Sequence, residues 1–310
     1  MSYKTVLVHI DVGGQVREQI RIAAGLALLG GSDGHLVAAA VTGVSRLLYD
    51  RSPAADRDPN LALHLNVLRE RARQALDGVE QQARALGIHS YQQSVADDEA
   101  GGGISLQALY ADLVVIGQFD PKQSSTSVMS DFPAYVVMNS GRPVVIVPHA
   151  NHGDNDSGAG DNSIGGAATG PQSGQYAPKN ILISWNAGKE AGRAISAALP
   201  LLRQAANVHV AMFDPDPTKL AAGEQPGAQL LRYLGRHGVR ASVTVSHTER
   251  HLGFKRPGDI GEALLGLAAS LRCELLVMGA YGHSRFRETI LGGVTRTVLE
   301  TTTIPVLMAH

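Results

Sequence analysis

The chain repeats itself, and that repetition constrains its fold more than any single motif does. Residues 4–14, KTVLVHIDVGG, return at 179–189 as KNILISWNAGK. Each is an apolar, β-branched strand that ends in Asp11 or Asn186 and runs into glycine. A helical pattern follows in both places (15–29 and 190–206), and then a second strand (34–43 and 206–214). In the first copy Leu61, Leu65, Leu68, Ala72, Leu76, Val79, Ala83 and Leu86 recur at three- and four-residue steps. That stripe predicts one long amphipathic helix. Residues 228–238 play the same part in the second copy, with Gly238 as the stop. The match continues through third strands (88–96, 240–248), helices (104–111, 259–271), fourth strands (112–117, 273–279) and fifth strands (142–149, 304–310). Strands alternating with helices, several of them apolar throughout, predict a parallel sheet covered on both faces. The expected fold class is α/β: two tandem domains, each a five-stranded parallel sheet with helices on both faces.

The copies set the boundaries. Residues 1–150 and 177–310 form the expected domains, each long enough to bury its own core. Residues 151–176 are rich in Gly, Ser, Asn and Asp and nearly free of large apolar side chains, the composition of a flexible linker.

Charge and composition remove several function classes. With 27 basic and 28 acidic residues, the formal charge is −1, so there is no electrostatic case for a nucleic-acid partner. No apolar run approaches the roughly 20 residues that span a bilayer. The opening MSYKTVLVHID lacks the pattern of a signal peptide. A cytoplasmic protein with no membrane partner is expected, and the lone Cys273 agrees with a reducing compartment. The twelve histidines show no HExxH spacing, and no GxSxG elbow is present, so neither a metal site nor a catalytic residue is assigned. The acids at 97–99 read as a solvated loop, with a metal role as the other option, and the basic run RERAR (69–73) reads as the solvated face of a helix.

One stretch asks for chemistry. MGAYGHSRFRETILGGVTRTVLE (278–300) spends Gly279, Gly282, Gly292 and Gly293 on the loop that leaves the fourth strand and enters the last helix. In an open parallel sheet, ligands bind where such loops leave the carboxyl ends of strands. Unsatisfied amides at a helix N-terminus favour phosphate, and glycine lets it approach the main chain. Thr295 would add a hydroxyl, and Arg285 or Arg287 a compensating charge. The other reading is a tight strand-to-helix turn whose glycines serve only the backbone. His283 is either a phosphate contact or an exposed loop residue, and His247, ending the third strand, is a weaker candidate for the same crevice.

Gly279, two residues, Gly282, nine residues, Gly292 and a small residue resemble the nucleotide-binding signature of the universal stress protein family. The ending LGGVTRTVLE, the opening ISWNAGKEAGRAI and the two-copy layout resemble the family's tandem members. The resemblance covers the chain apart from the linker and residues 45–60. It implies ATP or another adenine nucleotide as ligand, carried with or without Mg, in a stress-response regulator or sensor. It also implies that the fifth strands are association-prone edge strands that pair domain to domain, so intramolecular pairing of the two halves is expected, with a homodimer as the further option. By the same resemblance Asn186 sits by the adenine or ribose, and Met212 or Phe213 lines the base pocket. Met278, Gly279, Gly282, Gly292, Gly293, Val294 and Thr295 then surround ribose and phosphates, with His283 and Arg285 beside them. Asn186 stands where the family usually has Asp, and Gly293 where it usually has Ser or Thr. The first copy departs further: Asp120 replaces the second glycine, and Ser130–Asp131 replace the third glycine and its partner. Its site is expected to be degenerate. The alternatives are an interaction module that binds no nucleotide, and a slow ATP-hydrolysing or adenylyl-transfer enzyme.

Overall fold

The computed structural model describes residues 2–11, 15–45, 59–121, 128–149, 176–215, 225–247, 257–282 and 293–310. In the first half, strand β1 (Thr5–His9) leads through helix α1 (Val16–Ala27) to β2 (His35–Val41). Helices α2 (Pro59–Ala75) and α3 (Val79–Ala85) then lead to β3 (Ser90–Ala96), α4 (Ala100–Ala108) to β4 (Leu113–Gly117), and α5 (Phe132–Asn139) to β5 (Val144–Val147). The second half repeats the order with β6 (Asn180–Ser184), α6 (Lys189–Leu202), β7 (Asn207–Phe213), α7 (Ala228–Arg236) and β8 (Ala241–Ser246). It closes with α8 (Pro257–Ser270), β9 (Leu275–Gly279), α9 (Gly293–Thr301) and β10 (Val306–Ala309).

The ten strands form one sheet in the order β3-β2-β1-β4-β5-β10-β9-β6-β7-β8. Every pairing within a half is parallel, as the alternation of strands and helices predicts. The halves meet where the fifth strands pair antiparallel, with Val306 opposite Ile146, Leu307 opposite Val145 and Met308 opposite Val144. All six side chains are fully buried. An edge that would otherwise be open is thus closed by the other half of the same chain.

Side-chain alternation along each strand feeds two cores, one on each face of the sheet. In β1, Val6 and Val8 pack with α1 residues such as Ile20 and Leu26, whereas Leu7 joins Ile104 of α4 and Phe132 of α5. Each core runs across both halves. Further contacts tie the halves together. The Tyr3 hydroxyl donates to the Ala197 carbonyl in α6 at 2.5 Å. Tyr176, at the expected end of the linker, is buried against α1, where a side chain on Gly25 would meet its Cβ at 2.5 Å. The Tyr176 hydroxyl donates to the Glu274 carbonyl at 3.3 Å, and burial raises its pKa. Residues 151–175 lie outside the described residues.

The long helix predicted over 61–86 is a correction. Ala72, Leu76, Val79 and Ala83 are buried as the stripe requires, but α2 stops at Ala75 and α3 starts at Val79. Between them Gly78 takes φ 74°, a left-handed conformation that side chains resist, and this ends the first helix.

Candidate functional site

Within each half the strand order reverses direction between the first and fourth strands, so the crevice at their carboxyl ends is the topological switch point. In the second half it lies between the ends of β6 and β9. After β6 the chain makes a compact turn: the Asn186 side-chain oxygen accepts the Gly188 N–H at 2.9 Å, and Ala187 takes φ 55°. Asn186 thus shapes the entry to α6. After β9, Ala280 N–H donates to Ala309 O at 2.9 Å, and Tyr281 turns the chain at φ 58°. The Tyr281 N–H reaches the buried Thr295 hydroxyl oxygen at 3.4 Å, which links the start of the glycine loop to the first turn of α9. Burial pushes the Tyr281 phenol up to about 12.

The predicted site residues fall into three groups. Asn186, Gly279 and Gly282 gather at the switch point, and Gly293, Val294 and Thr295 form the first turn of α9. Met212 and Phe213 are adjacent on a strand and so face opposite sides: Met212 packs in the core beneath α7, whereas Phe213 lies on the face shared with Met278, Tyr281 and Val294. Only Phe213 of the pair shares that face. His283, Arg285 and Gly292, with Arg287, lie outside the described residues.

Gly279 and Gly282 have neighbours that the glycine spacing did not reveal. A side chain at Gly279 would meet Glu190 C at 2.6 Å and Ala191 Cα at 2.9 Å, both main-chain atoms in the first turn of α6. At Gly282 a side chain would meet the Glu190 carboxylate at 2.8 Å, with the Asn186 amide nitrogen at 3.8 Å. Glu190 is 4% exposed and has Lys189 Nζ at 3.6 Å. An acid in the first turn of a helix is favoured by the helix dipole, so in sequence it reads as an ordinary start signal. Its place is legible only from the repeat, which puts Glu190 in register with Gln15. The carboxylate sits in the first turn of α6, where it offsets the positive end of that helix.

The first half is built differently at the same place. Gln15 and Gln19 occupy the notch beside Gly117, where a side chain would meet Gln15 Nε2 at 2.5 Å. Gln15 donates to Gln118 O at 2.9 Å. The buried Gln118 donates to Leu299 O across the seam at 3.0 Å and accepts from His149 N–H at 3.0 Å. Side chains thus fill and tie down this notch.

Other candidates resolve into structure. Cys273 is buried, which pushes its thiol up to about 11. Asp97 is held by Arg69, whose Nε lies 2.9 Å and 3.0 Å from the two carboxylate oxygens. His247 lies 3.6 Å from Asp214 at the ends of β8 and β7. Among the described residues no three His, Cys, Asp or Glu side chains converge as a metal site. No helix among them is long and apolar enough to cross a membrane.

Residues 178–310 match the model of the universal stress protein family. A universal stress protein from Synechocystis is 44% identical over 50 residues, which is 16% of this chain and 17% of that relative. The match thus spans about a sixth of the curated relative. A universal stress protein structure from Archaeoglobus fulgidus aligns over 99% of this chain and 98% of its own, with TM-score 0.64 and 13% identity. A Pseudomonas aeruginosa structure assigned to the same family covers 99% of this chain and 93% of its own, with TM-score 0.58 and 14% identity. At such identities these two alignments speak for the fold.

Proposed function

We propose that the chain is a two-domain member of the universal stress protein family, whose model its second half matches, and that this second half binds an adenine nucleotide. The observation that carries this reading is the glycine spacing 279-282-292, whose first two members leave β9 at the switch point and whose loop ends at the first turn of α9. Phosphates belong at the α9 amides, beside Gly293, Val294 and Thr295. The base belongs nearer Asn186 and Phe213. Glu190 fits a hydroxyl donor better than a phosphate, which places the sugar and not the phosphates over Gly282. A magnesium ion would be held by the phosphates themselves. The role that follows is a stress-response regulator or sensor whose state is set by the bound nucleotide, in the cytoplasm.

Calorimetric titration of the full chain with ATP tests this. One nucleotide per chain is expected, since Gln15 and Gln19 fill the first-half notch and Asp120 stands in its loop. Gly292→Val should weaken binding at least tenfold, about 1.4 kcal/mol. Unchanged affinity in that variant removes the phosphate cradle, and a stoichiometry near two removes the asymmetry. No general base is assigned beside the loop, so hydrolysis well below the common enzyme median of about 10 s⁻¹ is expected in a steady-state assay.

A further inference from the structure

Two copies of one architecture in a single chain provide an internal control for surface composition. Helices α4 and α5 cover one face of the first half, and α8 and α9 cover the same face of the second. In the second half the outward positions are small or charged: Glu262, Ala263, Gly266 and Ala269 on α8, and an Arg296–Glu300 ion pair at 2.7 Å on α9. In the first half they are apolar. Leu106, Leu109 and Tyr110 are 59%, 54% and 86% exposed, and Tyr135 and Met138 on α5 are 44% and 45% exposed.

These five side chains form one surface. Leu106, Leu109 and Tyr110 stand three and four residues apart, on one side of α4 and the turn that ends it. Tyr135 and Met138 are likewise three apart on α5. The helices lie in contact, since a side chain on Gly101 would meet the Tyr135 ring at 2.6–3.2 Å. At the far end Arg142, just past α5, donates to Leu109 O at 2.8 Å and Ala108 O at 3.3 Å. An apolar patch on one repeat, replaced largely by small and charged residues on its twin, has the composition of an interaction surface.

We infer that a second copy of this chain covers it, in a twofold dimer built on α4 and α5. Charge complementarity favours this occupant. The exposed Asp131 precedes α5 and Arg142 follows it, so antiparallel packing of α5 on its symmetry mate brings the acid of each copy toward the base of the other. In a twofold interface one patch serves both partners, and an apolar centre with opposite charges at its ends is self-complementary. The site also continues an existing interface: α5 flanks the β5–β10 seam and touches β10 and α9. The linker is a poor occupant, because its composition offers almost no large apolar side chain.

Sedimentation equilibrium of the full chain is the test. The unaltered chain should sediment at the mass of two chains, and Leu106→Glu with Met138→Glu should weaken dimerisation at least about 100-fold. Leu63→Glu, at an exposed apolar position on α2 outside the patch, should leave the dimer intact. If the double variant does not fold, Tyr110→Glu alone, at the most exposed of these positions, serves in its place. A single-chain mass at about 100 μM, or a folded patch variant that dimerises as tightly as the unaltered chain, overturns the inference.

Discussion

Unfolding free energy should fall by about 3 kcal/mol between pH 6.5 and pH 4 because of His9 alone. His9 closes β1, is 3% exposed, and packs its ring against Phe132 of α5 at a centroid distance of 4.9 Å. Burial lowers its pKa from 6.5 to about 4, against an opposing pull from the Asp11 carboxylate. The folded state therefore holds His9 neutral, while the unfolded chain takes up a proton near pH 6.5. Its contribution is fully present above pH 6.5 and is lost as pH falls through that value toward 4. At the corresponding position the second half carries Ser184, which does not titrate, so the effect belongs to the first half. Urea unfolding at pH 7 and pH 4.5 reads it directly. His9→Gln should flatten the difference between the two pH values by roughly 2–3 kcal/mol. Equal pH dependence in the variant and the unaltered chain would show that His9 is not held neutral.

The architecture was legible because it depends on periodicity, which sequence records directly. Alternating strands and helices dictate a parallel sheet, whereas the seam between the fifth strands was expected from the family resemblance and not from periodicity. Phase, however, does not reveal breaks. The stripe from Leu65 to Leu86 keeps its helical phase through the turn at 76–78, so one helix and two helices give the same pattern. The site was legible only in outline. The family resemblance brought Asn186 and the glycines to one crevice, but it could not report how closely other chain segments approach them. Glu190 and Gln15 occupy equivalent places in the two repeats, and one is a carboxylate where the other is an amide. That difference puts a buried carboxylate beside the second crevice and an amide beside the first, and its place becomes visible only when the helix is laid beside the strand. Met212 and Phe213 illustrate the same limit: both sit at the right strand end, but alternation sends them to opposite faces.

Gly279→Ala should destabilise the protein by about 1–3 kcal/mol, whether or not nucleotide is present. A methyl there would point into the main chain of α6, toward Ala191 N and within 2.6 Å of Glu190 C. No rotamer change relieves a clash with backbone, so α6 must move away from β9, and the packing of Ala194, Ile195 and Ala198 against the sheet moves with it. The control lies in the same helix. Gly192 has no atom within 4 Å of an added methyl, and Gly192→Ala should stabilise by up to about 1 kcal/mol through helix propensity. Opposite signs for the same chemical change would show that Gly279 is kept for the approach of helix to strand. It follows that weakened nucleotide binding in Gly279→Ala would say little about contact with ligand, whereas Gly292→Val probes the loop itself. Urea titrations of both alanine variants, without nucleotide, decide the matter. A Gly279→Ala protein as stable as the parent would mean that the helix yields freely, and the glycine would then have to be explained by the ligand.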